Sequence, residues 1–142
     1  YPSFTIKSQV RKYFFFGEFL DPAYRNKMKE AAKLWTEKDP LNRPNDFYQG
    51  KKEGWNVESK NSWVDVRNTD NLRAMRECSV YLMAEETGNS ETTKLYKKRI
   101  QAYVKALYST GMGEWDSANY LHHGTTAWFQ LYDFAKDPEV RM

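Results

Sequence analysis

Hydrophobic positions recur with a helical period in four segments of the chain, and polar residues fill the positions between them. The first segment begins at Asp21-Pro22, a cap residue followed by proline, and extends to about Lys38. Lysines and glutamates cover one face, and the opposite face holds Tyr24, Met28, Ala31, Ala32 and Trp35. This pattern predicts an amphipathic helix with one solvent-exposed side.

Three further helices are predicted in the second half of the chain. They extend from Asp70 to Thr87 before Gly88, from a Ser90 N-cap to Gly111, and from about Ser117 to Ala135. Apolar residues lie on most faces of the first and third of these helices but form one stripe on the middle one. An alternation of one-sided and buried helices predicts an all-α array of antiparallel hairpins in inner and outer layers.

Two regions lack a helical period. Residues 1–20 alternate loosely and contain β-branched and aromatic residues, which predicts a short strand or an irregular arm. Residues 39–66 contain prolines, glycines and asparagines, which predicts a long loop. Trp55 and Trp63 in this loop either stack on a ligand or pin the loop to the body of the protein, and pinning is the commoner role.

Composition and charge narrow the choice of partners. A chain of 142 residues that is 40% hydrophobic and 16% aromatic is typical of a single globular domain. The net charge of +3 is spread along the chain without a basic block, which argues against nucleic acid as a partner. No apolar run is long enough to predict a membrane span. The single cysteine, Cys78, predicts neither a disulfide nor a thiolate metal site, and we expect no metal or cofactor.

The end of the chain predicts one more helix, because Asp137-Pro138 is again a cap residue followed by proline. We therefore expect the chain to be a fragment of a longer protein, whose remainder is its natural partner. A fragment of this kind is expected to expose an apolar edge and to associate through it.

Helix counting brings two polar clusters together. Short turns at Gly88 and between Gly111 and Asp116 make successive helices antiparallel, so the helices that begin near Asp70 and Ser117 run parallel. Their amino ends, with RNTDN (67–71) and GEWDSANY (113–120), are then expected on the same rim. Helix amino ends favour anions, so an acidic sugar would suit this rim.

Two stretches of the chain resemble a group of bacterial, often exported, (α/α) toroid proteins: NTDNLRAMRECSVYLMAEETGN and GMGEWDSANYLHHGTTAWFQLYDFAKDPEVR. The toroid is the ring of helix hairpins found in many polysaccharide lyases and glycoside hydrolases. The resemblance covers most of residues 13–142 and implies a toroid fold, a carbohydrate-active class and further helix pairs after residue 142. It implies no catalytic assignment, although His123 matches the histidine that the group retains in this region.

Glycoside hydrolysis needs an acid for the leaving oxygen and a carboxylate that positions water or attacks. Asp116 or Glu114, paired with Asp70, would supply these two groups. Each acid also stands where a helix N-cap belongs, and Asp116 or Ser117 and Asp70 would be expected to cap their own helices. Capping is the commoner role for a single residue, but convergence of the two clusters favours chemistry.

Uronate lyase chemistry is the alternative enzymatic hypothesis. It needs groups that neutralise a carboxylate, a base for the α-proton and an acid for the leaving oxygen. The sequence supplies these as Asn71 or Asn119 with Arg67 or Arg73, together with Tyr120 and His123.

A third hypothesis involves no catalysis. Trp115 either stacks on a sugar or packs over the helix start, and a rim of this composition also suits a carbohydrate-binding or protein-interaction module. The sequence therefore predicts a carbohydrate ligand and leaves hydrolysis, elimination and binding alone as alternatives.

Overall fold

A computed structural model describes residues 2–37, 43–44, 54–55 and 69–141. The fold is all-α, as predicted. Helix α1 spans Pro2–Phe15, a 3₁₀ turn spans Gly17–Phe19 and α2 spans Pro22–Thr36. Helices α3, α4, α5 and α6 span Asp70–Thr87, Ser90–Thr110, Ala118–Phe134 and Pro138–Arg141. Between α2 and α3, the two-residue strands β1 (Arg43–Pro44) and β2 (Gly54–Trp55) pair antiparallel, with Arg43 opposite Trp55.

The prediction of a strand or irregular arm in residues 1–20 is wrong, because Pro2–Phe15 is helical. The buried face of α1 consists of Ser3, Lys7, Val10 and Tyr13, whose spacings of four, three and three residues are helical. Two of these four positions are polar, so the hydrophobic pattern alone conceals the helical period. Most of the predicted loop at 39–66 lies outside the described residues.

Helix α2 begins as predicted. The Asp21 carboxylate accepts a hydrogen bond from the Tyr24 amide at 2.9 Å, and Pro22 occupies the first turn. Ala32 and Thr36 are buried, and Met28 and Trp35 are half-buried beside them. One side of α2 therefore packs on the core, as the amphipathic pattern predicts, although Tyr24 and Ala31, which were predicted on that side, are exposed.

Helix α3 forms the centre of the fold and is packed by α1, α2, α4 and α5. It is buried on nearly every side, which confirms the prediction from its apolar pattern. Gly88 ends it in the left-handed conformation at φ 79°, and the following amide, that of Asn89, donates to the Ala84 carbonyl.

Helix α4 starts one residue earlier than predicted, because Ser90, the predicted N-cap, is its first helical residue. Asn89, rather than Ser90, is the N-cap residue, and its side chain makes no cap hydrogen bond. The Asn89 side-chain nitrogen, Nδ2, instead donates to the Lys33 carbonyl and to Thr36 Oγ1, at 2.9 and 2.6 Å. Asn89 therefore anchors the two-residue turn between α3 and α4 to α2. Gly111 ends α4, as predicted.

Helix α5 departs from the prediction that it is buried on most faces. Its buried residues are Gly124, Ala127, Gln130 and Leu131, which face the core, whereas Phe129 and Tyr132 are more than half exposed. The reason is that α4 and α5 both pack extensively on α3 and much less on each other, where the Tyr103 and Trp128 rings lie 5.4 Å apart, so a groove stays open between them. In the described part of the chain, α3 alone has the burial expected of an inner helix.

Helices α3 and α5 run parallel, as helix counting predicts. Gly124 lies beside the Asn71 backbone near the amino ends, and at the other end the Glu85 carboxylate accepts from the Lys136 and Asp137 amides at 2.7 and 3.1 Å. Asp137 then caps α6, since its carboxylate accepts from the Glu139 amide. Among the described helices, none has the length and hydrophobicity needed to cross a membrane.

Candidate functional site

The amino ends of α3 and α5 meet at one edge of the molecule, which we call the rim and define as residues 69–73 and 111–123. Two hydrogen bonds join its halves. Asp70 Oδ2 accepts from the Gly113 amide at 2.6 Å, and Glu114 Oε2 accepts from the Asn71 amide at 2.8 Å. The predicted convergence of the two polar clusters is confirmed.

The Asp70 carboxylate braces three elements. Besides the Gly113 amide, it accepts from the Tyr103 hydroxyl of α4, which lies 3.0 Å from Oδ1. Tyr103 is buried, and burial together with this hydrogen bond to a carboxylate raises the pKa of its hydroxyl. The sequence predicted that Asp70 caps its own helix. Its carboxylate instead fastens α3 to α4 and to the α4–α5 turn.

Glu114 takes the capping role that the sequence assigned to Asp70. The first amides of α3 have no partner within the helix, and Glu114 satisfies that of Asn71 from across the rim. Gly113 permits the close approach, because a Cβ at this position would lie 3.3 Å from Asp70 Oδ2. Both carboxylates of the predicted Asp70–Glu114 pair thus accept hydrogen bonds from backbone amides. In this arrangement they hold the fold together.

Two of the predicted uronate-binding groups, Asn71 and Arg73, are also occupied. Asn71 is buried, and its Oδ1 accepts from Thr69 Oγ1 at 2.5 Å. The Arg73 Nε donates to Glu77 at 3.1 Å, and its guanidinium lies 4.2 Å from the centre of the Tyr103 ring. Arg67 lies outside the described residues.

His123 faces helix α1. Its Nδ1 lies 3.0 Å from Lys7 Nζ, and the Phe4 ring packs edge-on at 5.0 Å. Desolvation lowers the pKa of His123, and repulsion by Lys7 and by the neighbouring His122 lowers it further. An ammonium group can only donate, so Nδ1 accepts and the proton of the neutral ring is on Nε2. In this tautomer, neither nitrogen of His123 is free to act as a base.

Four predicted residues remain exposed at the rim: Trp115, Asp116, Asn119 and Tyr120. Trp115 is 73% exposed, so it does not act as a staple over the start of α5. Ser117 is the N-cap residue of α5 but makes no side-chain cap bond, and its amide donates to the Glu114 carbonyl at 3.1 Å. Ser117 therefore occupies the predicted N-cap position without the side-chain bond of a cap, and the 111–117 turn is held by backbone and by Asp70 instead.

Sequence reasoning missed two features. One is Lys7, which is only 8% exposed. A lysine is not expected in a core, so the sequence does not indicate that this position is buried. The other is the α4–α5 groove, a cavity of 670 Å³ whose lining includes Val104, Tyr108, Trp128 and Tyr132. The apolar residues on several faces of α5 could have indicated the groove, but their pattern predicted that they are buried.

Among the described residues, the other reactive groups are Cys78 and the potential metal ligands. Cys78 is fully buried, and burial raises the pKa of its thiol, which keeps it in the unreactive form. Within the described residues, no three His, Cys, Asp or Glu side chains cluster as metal ligands would.

Comparison of the chain with protein-family models, curated proteins and solved structures found no match.

Proposed function

We propose that the rim binds a carbohydrate without cleaving it. The observation that carries this proposal is the use of both Asp70 and Glu114 as hydrogen-bond acceptors for backbone amides, which fixes the turn that presents Trp115. Two carboxylates engaged in this way hold a binding surface in place instead of exchanging protons with a substrate.

The exposed residues of the rim suit a sugar. Trp115 and Tyr120 offer aromatic faces for the apolar face of a sugar ring, and Asp116 and Asn119 offer acceptors and a donor for its hydroxyls. Because the Trp115 turn is tied to α3 by Asp70, little conformational entropy is lost when the indole is covered by a ligand.

We further propose that these helices form part of an (α/α) toroid of an exported protein. The parallel pair α3 and α5, with α4 antiparallel to α3, is the repeating relation that such a ring requires. In this arrangement the rim lies at one end of the inner helices, where a ligand can approach the centre of the ring.

Affinity electrophoresis in gels containing individual polysaccharides tests the proposal. At least one acidic polysaccharide is expected to retard the protein, and Trp115→Ala is expected to weaken retardation about tenfold, because the indole is the largest exposed aromatic of the rim. The matched control is Phe19→Ala, which removes another largely exposed aromatic side chain far from the rim in sequence and should bind as the parent protein does.

The same incubations are assayed for products. Retardation without new reducing ends supports binding alone. No retardation by any polysaccharide, or equal loss of binding in both variants, would refute the proposed site.

Cleavage by the same rim is the second candidate, and it is favoured by one observation. Asp116 is an exposed carboxylate on a fixed turn and has none of the backbone partners that occupy Asp70 and Glu114. New reducing ends would support hydrolysis, and accompanying ultraviolet absorbance of an unsaturated uronate would support elimination. Loss of either product in Asp116→Asn, with binding retained, would assign the reaction to this residue.

A further inference from the structure

A cavity of 320 Å³ lies between α1 and α5, and we call it the α1–α5 cavity. Its lining includes Arg11 and Phe15 of α1 and Phe129, Gln130 and Asp133 of α5. A volume of this size accommodates a small molecule built around a single ring. The cavity is therefore a candidate ligand site apart from the exposed rim residues that bear the proposed function.

Gln130 forms the floor of the cavity. It is 1% exposed, whereas the aromatic and charged side chains around it are exposed. Both polar atoms of its carboxamide, Oε1 and Nε2, are buried and have no hydrogen-bond partner within the described structure. A buried amide in this state is unfavourable, because neither its donor nor its acceptor regains the hydrogen bonds that water would make.

The nearest polar side chains of α5 in the lining do not supply these bonds. Thr125 Oγ1 donates to the Leu121 carbonyl and Thr126 Oγ1 donates to the His122 carbonyl, both at 2.8 Å. The terminal torsion of a glutamine side chain has a broad energy minimum, so the Gln130 amide can turn toward a molecule in the cavity at little cost. An occupant of the cavity is thus positioned to supply both missing partners.

The walls of the cavity are aromatic on both helices. The Phe15 ring is held by the Arg11 guanidinium, 5.1 Å from its centre, and by the Phe134 ring, which packs edge-on at 4.7 Å. Phe129, which is 62% exposed, contributes its ring from α5. Aromatic surface on both sides favours a flat ring as the occupant.

The charges that border the cavity balance. Arg11 contributes a cation from α1 and Asp133 a carboxylate from α5, and both side chains are exposed. A charged ligand would be attracted by one of these groups and repelled by the other. The pair therefore gives no preference for an anion or a cation, and the buried amide selects for hydrogen bonding in a neutral molecule.

We infer that the α1–α5 cavity binds a small, neutral, flat molecule with a carboxamide or lactam edge. The carbonyl of this edge accepts from Gln130 Nε2 and its N–H donates to Gln130 Oε1, while its ring lies against Phe15 and Phe129. An ester or a carboxylate only accepts, so neither can satisfy both atoms of the buried amide. Binding in this cavity does not depend on carbohydrate binding at the rim.

Nuclear magnetic resonance of the intact chain tests the inference, with benzamide and uracil as the carboxamide and lactam probes. The side-chain NH₂ signals of Gln130 are assigned by their absence in Gln130→Leu. They are expected to shift saturably with at least one probe, with a Kd below about 1 mM. Methyl benzoate and benzoate carry the same ring as benzamide but no donor, and each should bind at least about fivefold more weakly than benzamide.

Two leucine variants separate binding from folding, with saturation transfer to the probe as the measurement. Gln130→Leu removes the unpaired polar atoms, so it is expected to keep the fold and to abolish binding of the probe. Gln101→Leu is the matched control, which makes the same change at an exposed position of α4 outside the cavity lining and should bind as the parent protein does. Circular dichroism of both variants verifies that the helices are retained.

Three results would overturn the inference. The first is the lack of a saturable shift with both benzamide and uracil. The second is equal binding of benzamide and methyl benzoate, which would mean that the ring alone is recognised. The third is binding retained in Gln130→Leu. A stability gain in Gln130→Leu without probe binding by the parent protein would leave the amide a buried polar group of the fold and no ligand site.

Discussion

Asp70 and Asp116 are two acids of the rim with different surroundings. Asp70 accepts from the Gly113 amide and the Tyr103 hydroxyl, whereas Asp116 is exposed. An asparagine at position 70 offers one oxygen for these donors and turns its amide nitrogen toward the other. We therefore expect Asp70→Asn to lower the free energy of unfolding by about 1–3 kcal/mol, measured by urea denaturation.

The matched control is Asp116→Asn, which makes the same chemical change at an exposed position of the same rim. It is expected to alter the free energy of unfolding by less than about 0.5 kcal/mol. Equal effects of the two substitutions would contradict the structural role assigned to Asp70.

His123 is expected to make stability depend on pH. Its pKa is lowered in the folded protein, where burial, Lys7 and His122 all disfavour its positive charge, and Arg11 is a further cation that acts on Lys7. The unfolded chain therefore binds the proton more readily, so this contribution to stability is complete above the ordinary histidine pKa and is lost as the pH falls through the lowered value.

Urea denaturation between about pH 8 and pH 5 measures this dependence. In His123→Gln, an uncharged acceptor replaces Nδ1 opposite Lys7, and the fall in stability over this range should be smaller than in the parent protein. His122→Gln is the control and should retain most of the fall. An unchanged pH profile in His123→Gln would show that this histidine is not the group responsible.

At the scale of single elements, Gly124 and Gly88 are predicted to respond in opposite directions to alanine. Gly124 lies inside α5, and an added Cβ would make ordinary contacts with Met112 Cε at 3.4 Å and the Asn71 Cα at 3.8 Å. Because alanine restricts the unfolded chain and favours the helix, Gly124→Ala should raise the free energy of unfolding by about 0.5–1 kcal/mol.

Gly88→Ala provides the contrast. A Cβ added at Gly88 would meet no atom within 4 Å, but the φ of 79° is a left-handed conformation that disfavours a side chain. The substitution should lower the free energy of unfolding by about 1 kcal/mol, although it clashes with nothing. A loss of stability in both variants would contradict the helix-propensity argument at Gly124. A gain of stability in both would contradict the backbone-conformation argument at Gly88.

The elements that the sequence predicted are those with local signals. Asp21-Pro22, Gly88, Gly111 and Asp137-Pro138 end or begin helices through their own backbone and side-chain chemistry, so their positions could be predicted. Helix α1 could not be predicted in this way, because the burial of Lys7 depends on His123, which is distant in sequence. The exposure of Phe129 could not be predicted either, since an apolar residue does not reveal whether another element covers it.

The candidate site was predicted in position but not in role. Counting antiparallel helices placed Asp70 beside the 111–117 turn, which requires only that short connections reverse the chain. Whether a carboxylate binds a substrate or a backbone amide depends on orientation at the scale of a hydrogen bond. Asp70 accepts from the Gly113 amide of the 111–117 turn, and Glu114 accepts from the Asn71 amide of α3. These two bonds can be recognised only once both segments are placed in the structure.

At the scale of the whole molecule, the parallel pair α3 and α5 is fastened at both ends. Asp70 and Glu114 join the amino ends, and Glu85 joins the carboxyl ends by accepting from the Lys136 and Asp137 amides. Glu85 also accepts from the Tyr81 hydroxyl of its own helix. Fifteen residues of helix separate Asp70 from Glu85, which corresponds to about 22 Å. No hydrogen-bond partner is common to the two ends within the described structure.

This separation predicts additivity. Glu85→Gln leaves one oxygen for three donors and should lower the free energy of unfolding by about 1–3 kcal/mol, as Asp70→Asn does. The double variant should lose the sum of the two single losses to within about 0.5 kcal/mol, since distant sites without common partners act independently. Urea denaturation of the four proteins of this cycle measures the coupling.

A coupling well above that limit would mean that α5 leaves α3 as one rigid body, so that the second fastening contributes only while the first is intact. Hydrogen exchange of the α5 amides distinguishes the two cases. Independent ends predict that Asp70→Asn accelerates exchange mainly near Ala118 and Glu85→Gln mainly near Phe134. Acceleration along the whole helix in either single variant would favour detachment of α5 as a unit, and would make the two fastenings a single cooperative clamp.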